Sequence, residues 1–147
     1  PVVREGNVRA WVSIMYGCNN FCSYCIVPYV RAGSAAGSLM HHRDVRQLAA
    51  EGYKEITLLG QNVNSYGKDL ETPWDFADLL RELDKIEGDY LIRFMSSQPR
   101  TPPPSCLNHA RSRHVAHQLH LPVQSGCRPG AAGHEPAYDR AKYLELI

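Results

Sequence analysis

Three cysteines in one short segment are the residues of this chain best placed to do chemistry. Cys18, Cys22 and Cys25 stand in the run CNNFCSYC, after a strand-like segment and a turn. At this spacing three thiolates of one loop can share a single inorganic centre. A structural metal site is usually closed by four protein ligands, whereas a reactive centre keeps one position open. The three cysteines therefore indicate one shared inorganic centre with an open position, as in a cubane iron–sulfur cluster that three thiolates hold, where one iron is free for a substrate or cofactor.

The same thiols allow two other interpretations. A zinc site could be completed by His41 or His42, and Cys22 with Cys25 could form a redox pair. The spacing by itself leaves both open.

Length and composition limit the class of protein. The chain has 147 residues, with 44% hydrophobic and 21% charged residues, which suits one globular domain with a core. A net charge of +1 gives no bulk attraction for a polyanion, so any binding of nucleic acid depends on a local patch or on regions outside the chain. No apolar run approaches the length of a membrane span, so no membrane partner is expected. Five cysteines, three of them at ligand spacing, favour a reducing compartment, and we expect a cytoplasmic protein.

The apolar pattern alternates between strands and helices. Strands are predicted at 9–15, 55–59, 90–95 and 115–121, and helices at 43–51 and 74–86. Thr72 is the predicted cap of the second helix, with Pro73 at its first position. This alternation predicts an α/β fold with parallel strands in βαβ units. Polar residues follow each strand: the cysteine loop, 61–64, 96–98 and 124–125. In parallel sheets this carboxyl end is where ligands bind.

Three stretches break the pattern, at 32–42, 99–110 and 127–137. The second and third hold six of the ten prolines and both remaining cysteines, Cys106 and Cys127. Proline at this density excludes a helix interior. We interpret the stretches as local reading-frame slips, with genuine flexible loops as the alternative, and expect all three to be irregular. Resequencing the gene distinguishes the two.

The segments between these stretches resemble the radical S-adenosylmethionine (SAM) methylthiotransferases. The matching runs are WVSIMYGCNNFCSYCIVPY at 11–29, EITLLGQNVNSY at 55–66, IRFM at 92–95 and LHLPVQSG at 119–126. The cysteine run points to the radical SAM superfamily, and the runs GQNVN and LPVQSG point to the methylthiotransferases. The branch acting on dimethylallyladenosine in tRNA is favoured over the branches acting on threonylcarbamoyladenosine or a ribosomal protein.

The resemblance implies a partial radical SAM (β/α) barrel. Residues 9–147 would form the N-terminal part of its core domain, and residues 1–8 a linker from an N-terminal domain. The chain starts without Met and ends within a helix-like run, so we expect it to be a piece of a longer protein. The family's N-terminal domain with a second cluster, the later barrel units and a small RNA-binding domain would lie outside it.

The resemblance also implies two cofactors, a 4Fe–4S cluster on the three cysteines and SAM on the open iron. One electron would cleave SAM to a 5′-deoxyadenosyl radical. The implied SAM-binding residues are Tyr24, Gln61, Asn62, Gln124 and Ser125. Local roles stay open for each: packing for Tyr24, loop capping for Gln61 and Asn62, and turn formation for Gln124 and Ser125.

The implied function is methylthiolation at C2 of N6-dimethylallyladenosine next to the anticodon. The implied partners are tRNA and an electron-donor protein. The chain alone is expected to be inactive in methylthiolation, with at best uncoupled cleavage of SAM. Two departures weaken the match: an Ala/Gly/Ser run after Arg31 replaces a basic segment, and Gln98 replaces the usual histidine. The non-enzymatic alternative is a zinc- or cluster-stabilised binding module.

Overall fold

A computed structural model describes residues 6, 8–31, 35–36, 40–68, 74–97, 99, 112–123 and 140–146. Its strands are β1 (Arg9–Ser13), β2 (Met15–Tyr16), β3 (Ala35–Ala36), β4 (Glu55–Leu59) and β5 (Leu91–Phe94). Its helices are α1 (Val27–Val30), α2 (Met40–Ala50), α3 (Phe76–Leu83) and α4 (Arg140–Leu146), with a 3-10 turn at Val63–Ser65.

The central element is a three-stranded parallel sheet in the order β1–β4–β5. Ala10 pairs with Ile56, and Ile56 pairs with Ile92. Helix α2 lies in the connection from β1 to β4, and α3 in the connection from β4 to β5. The predicted parallel α/β arrangement of the first three strands is therefore confirmed. In the described part of the chain the sheet does not close into a barrel.

The core lies between one face of the sheet and the helices. The strand residues buried on that face are Ala10, Val12, Ile56, Leu58, Ile92 and Phe94. Val45 and Leu48 of α2 are buried against it, as the helical spacing predicts. The ring of Phe76, at the start of α3, meets the ring of Phe94 edge to face with 5.0 Å between centroids.

The opposite face of the sheet carries charge. Glu55, the first residue of the central strand β4, pairs with Arg9 at 3.5 Å and with Arg93 at 3.0 Å, and Trp11 of β1 is exposed. Arg9 is exposed, so its pair with Glu55 contributes little to stability, whereas Arg93 and Glu55 are both partly buried. The two faces therefore differ: apolar residues face the helices on one side, and Arg9, Glu55 and Arg93 form ion pairs on the other.

The start of α3 corrects the predicted cap. Asp75 is the N-cap residue: its carboxylate accepts a 2.8 Å hydrogen bond from the backbone N–H of Asp78. The Asp78 carboxylate in turn accepts one of 3.0 Å from the N–H of Asp75. This reciprocal capping box satisfies two N–H groups at once, so the helix starts at Phe76 and the prediction of Thr72 as its cap is wrong.

The predicted fourth strand is also mostly wrong. Val115 makes one parallel bridge with Ile92, and the N–H of Ala116 donates to the Ile92 carbonyl at 2.9 Å. The N–H of Gln118, which would continue the pairing in a strand, instead donates to the carbonyl of Ala116 at 2.8 Å. Because this N–H is used within its own segment, residues 117–121 leave the sheet.

The interrupting stretches meet the expectation of irregularity only in part. Within 32–42, Ala35–Ala36 form β3 and residues 40–42 belong to α2, so that expectation is wrong for these residues. Of 99–110 only Pro99, a buried turn residue, is described, and 127–137 lies outside the described residues. No helix in the described ranges is both long and apolar enough to cross a membrane.

Candidate functional site

The cysteine loop leaves the sheet at the carboxyl end of β1. The N–H of Ile14 still donates to the carbonyl of Leu59 at 2.9 Å, which extends the pairing with β4 by one step. Strand β2 then pairs antiparallel with β3, Tyr16 opposite Ala35, and closes the base of the loop. Gly17 has a φ of +67°, which a glycine adopts without strain, and turns the chain towards Cys18.

A tight turn brings the second and third cysteines together. The N–H of Cys25 donates to the carbonyl of Cys22 at 2.9 Å. Such a turn holds its first and fourth Cα atoms within about 7 Å. Phe21, just before it, has a φ of +47°, an unusual conformation for a bulky residue that often marks a functional constraint. Its ring packs edge to face on that of Tyr29 in α1, at 5.9 Å between centroids.

The three thiols differ in environment. Cys18 is buried, with 8% of its surface exposed, while Cys22 and Cys25 are partly exposed. Burial raises the pKa of the Cys18 thiol, and negative charge on Cys22 and Cys25 raises it further. A hydrogen bond from the backbone N–H of Asn20 acts the other way. The thiols are therefore close enough to influence each other electrostatically.

The donor set fits an iron–sulfur cluster. Three thiols on one loop are the ligand type that such clusters take, and no Asp or Glu occurs between Ala10 and Arg43 to compete as a ligand. Among the described residues no three His, Cys, Asp or Glu side chains already form a metal-binding group. Final convergence of the thiols would accompany metal binding, as is common when a site is not preformed.

Tyr24 lies within the turn between Cys22 and Cys25. Its side chain is 55% exposed, so it is not packed into the core. Desolvation raises the pKa of its hydroxyl, and the charges of Cys22 and Cys25 add to the effect. The side chain is accessible to a ligand approaching the cysteine loop.

Gln61 and Asn62, the two binding residues predicted after β4, differ in burial. Gln61 is exposed, whereas Asn62 has only 1% of its surface exposed. The Asn62 amide donates to the Ser65 hydroxyl at 2.8 Å, which is the local role that the sequence left open. Its Oδ1 atom, however, is buried without a hydrogen-bond partner. A buried polar atom in this state costs free energy, so Asn62 has an unused acceptor for a ligand or water.

Ser97 was predicted to lie at a strand end but was not among the predicted binding residues. It follows β5 with 0% of its surface exposed, and its hydroxyl has no hydrogen-bond partner. Ser96 before it has a φ of +66°. Strands β4 and β5 are neighbours, so Ser97 and Asn62 place two unsatisfied polar atoms at the same edge of the sheet. Its position after a buried strand was the available sequence signal.

The histidines of the zinc interpretation are placed differently. His41 is buried in α2, and its ring meets that of Tyr66 edge to face at 6.3 Å. Within the described ranges neither His41 nor His42 belongs to a metal-binding group with the cysteines. Gln124 and Ser125 lie outside the described residues.

The three-cysteine loop and the buried polar groups of Asn62 and Ser97 lie at the carboxyl end of a parallel sheet, which is where open α/β sheets bind ligands. No protein-family model matches the chain. Its whole length is similar to proteins named tRNA-2-methylthio-N(6)-dimethylallyladenosine synthase. The identity is 50% for the proteins of Carboxydothermus hydrogenoformans and Pelotomaculum thermopropionicum and 48% for one from Clostridium botulinum. The resemblance to this family of enzymes is therefore confirmed.

The chain spans about a third of the length of these relatives: 34% of the Carboxydothermus protein and 33% of the other two. The similarity is therefore to one segment of these relatives.

Proposed function

We propose that this chain is the cluster-binding segment of a radical SAM methylthiotransferase. The observation that carries the proposal is the position of the cysteine loop. The loop of Cys18, Cys22 and Cys25 follows β1 and β2 and leaves the sheet at the end where Asn62 follows β4. The chain is 50% identical to a protein named tRNA-2-methylthio-N(6)-dimethylallyladenosine synthase. The proposal includes a partial radical SAM barrel, of which β1, β4 and β5 would be the first three strands.

The three cysteines would hold a 4Fe–4S cluster. When bound, the cluster supplies one electron for the reductive cleavage of SAM. The protein's part is to provide three thiolates and leave the fourth position open. Burial of Cys18 shields one side of the site from water, while the partly exposed Cys22 and Cys25 leave the other side accessible.

Residues around the loop would hold SAM. Tyr24 offers an exposed aromatic ring beside the cysteines, suited to stacking on adenine. The Oδ1 atom of Asn62 offers a hydrogen-bond acceptor for an amino group. Gln61 is exposed at the same strand end, and Gln124 and Ser125 remain proposed from the resemblance alone.

The substrate and partners belong to the whole enzyme. We propose methylthiolation at C2 of N6-dimethylallyladenosine in tRNA, with a separate protein as electron donor, in the cytoplasm. A branch acting on another adenosine or on a ribosomal protein is the alternative within the family. Because the net charge of the chain is only +1, it offers little general attraction for tRNA, and we propose that most tRNA contacts come from other regions of the enzyme.

Anaerobic reconstitution tests the proposal. The chain is loaded with ferrous iron and sulfide and its metal content determined. SAM and dithionite are then added, and 5′-deoxyadenosine is quantified by mass spectrometry. We expect a brown protein that releases 5′-deoxyadenosine, while Cys22→Ala, the matched inactive control, releases none. A colourless protein with one tightly held zinc, or an iron-loaded protein that does not cleave SAM, would instead support a binding module.

A further inference from the structure

Gly60 lies at a point of unusually close approach between two segments. A Cβ atom built on Gly60 would lie 2.4 Å from Cγ and 3.0 Å from Sδ of Met15, and 3.2 Å from Cγ1 of Val63. Carbon atoms in favourable contact are about 3.5–4.0 Å apart. The space beside Gly60 is therefore already filled by the Met15 side chain, and any residue with a Cβ would have to displace it.

The surroundings resist that displacement. Met15 has 3% of its surface exposed and Val63 0%, and both belong to the hydrophobic core. Methionine adopts several rotamers, but extra volume in a packed core usually shifts the backbone as well. The hydrogen bond between the Ile14 N–H and the Leu59 carbonyl, 2.9 Å long, ties the two backbones together next to this contact.

The contact lies where the two loops of the candidate site leave the sheet. Cys18 follows Met15 by three residues, and Asn62 follows Gly60 by two. Any shift of Met15 against Gly60 therefore changes the spacing between the cysteine loop and the buried Asn62. The absence of a side chain at position 60 sets that spacing.

We infer that Gly60 is a positioning residue, which acts through Met15 to hold the cysteine loop and the Gln61–Asn62 strand end at the separation that SAM requires. The inference rests on the proposed function. It assigns to the Met15–Gly60 contact a role in cofactor binding beyond its contribution to packing.

Four variants test the inference: Gly60→Ala, Met15→Ala, the double variant and Gly52→Ala. Gly52 is the matched control because its φ of +87° makes alanine strained there, yet no atom lies within 4 Å of its Cβ position. It precedes β4, at the opposite end of that strand from Gly60. For each variant the iron content, the SAM Kd by equilibrium dialysis, the electron paramagnetic resonance spectrum of the reduced cluster with and without SAM, and the Tm of the metal-free chain are measured.

The expected result is a loss of SAM binding without loss of the cluster. Gly60→Ala should keep its iron, bind SAM about tenfold more weakly and lose the spectral change on SAM addition. Met15→Ala in the Gly60→Ala background removes the clashing atoms and should restore the Kd to within about threefold of the parent. Gly52→Ala should lower the Tm and leave the Kd unchanged.

Three outcomes would overturn the inference: a Gly60→Ala Kd within about twofold of the parent, an equal loss in Gly52→Ala, or no rescue in the double variant. A parent chain that takes up no iron would instead refute the proposed function. In that case the Met15–Gly60 contact is tested by the Tm of the metal-free chain. Met15→Ala should lower the Tm in the parent but should not lower it in the Gly60→Ala background. If the Tm change of the double variant equals the sum of the two single changes, the Met15–Gly60 contact is refuted.

Discussion

The carboxylate of Asp84, at the end of α3, accepts a 2.8 Å hydrogen bond from the backbone N–H of His114, 30 residues further along the chain. It also accepts bonds from the N–H of Arg113 at 3.0 Å and from the hydroxyl of Ser112 at 2.8 Å. Val115, which follows His114, forms a parallel bridge with Ile92 of β5. One carboxylate thus fixes the returning segment where it reaches the sheet.

Replacing Asp84 with alanine should destabilise the fold. The change leaves two backbone N–H groups and a hydroxyl without their acceptor, and hydrogen bonds to a charged group contribute about 1.5–3 kcal/mol. We expect the free energy of unfolding in urea to fall by about 2 kcal/mol. Asp89→Ala is the control, since that carboxylate is solvent-exposed and pairs only with the exposed Lys54 among the described residues. Equal losses in both variants would contradict this role of Asp84.

The Asp84 contribution should depend on pH. Burial acts to raise the pKa of this carboxyl, but hydrogen bonds from His114, Ser112 and Arg113 outweigh burial, and the pKa lies below its ordinary value. A lowered pKa in the folded state stabilises the fold above the unfolded pKa of about 3.9, and the effect is lost as the pH falls through the folded pKa. The stability difference between the parent and Asp84→Asn should therefore be constant near pH 7 and shrink below about pH 4. If the stability difference between the parent and Asp84→Asn stays constant below about pH 4, Asp84 does not contribute through a lowered pKa.

Tyr90 should control part of the alkaline stability. Its hydroxyl donates to the carbonyls of Leu83 and Ile86, both at 3.0 Å, and its ring stacks on that of His114 at 4.2 Å. Burial, and secondarily the charge of Asp84, raise the pKa of Tyr90 to about 12. A raised pKa stabilises the fold below the unfolded value of about 10, and this is lost as the pH rises through about 12.

Tyr90→Phe is the corresponding experiment. The variant lacks the two hydrogen bonds and should be about 1 kcal/mol less stable at neutral pH. Because it also lacks the titrating hydroxyl, the gap to the parent should narrow between about pH 10 and 12, as followed by urea unfolding at each pH. A gap of constant size across that range would show that Tyr90 does not titrate in the folded state as expected.

The sequence predicted what depends on local pattern. The three parallel strands and the buried faces of α2 and α3 follow from apolar periodicity, and the cysteine loop follows from its spacing. The cap of α3 was missed because Thr72 and Asp75 both have capping side chains, and only the backbone decides between them. The alternation at 115–121 suits a strand, but the Gln118 N–H bonds within its own segment.

Contacts distant in sequence could not be predicted. Nothing around Gly60 indicates that Met15, 45 residues earlier, fills the space beside it. The same holds for Asp84 and the N–H groups near His114. Ser97 was predicted at its strand end, but the burial that leaves its hydroxyl without a partner is a property of the packed sheet.

The chain alone should not carry out methylthiolation. It corresponds to about a third of its relatives, and within the described residues its three-stranded sheet does not close into a barrel. We expect no 2-methylthio product when tRNA is incubated with the reconstituted chain, SAM, reductant and a sulfur source. Mass spectrometry of the digested tRNA, against a no-protein control, provides the measurement. Product above that control would show that these 147 residues are sufficient.

The central claim is that Cys18, Cys22 and Cys25 hold a 4Fe–4S cluster, and iron content per chain after anaerobic reconstitution tests it most directly. The parent should bind about four irons, and alanine at any one of the three positions should abolish iron binding, because the loop supplies no spare thiolate. Cys106→Ala and Cys127→Ala, outside the ligand spacing, are the matched controls and should bind as much iron as the parent. Loss of iron in Cys106→Ala equal to that in Cys22→Ala, or full iron binding in Cys18→Ala, would contradict the claim.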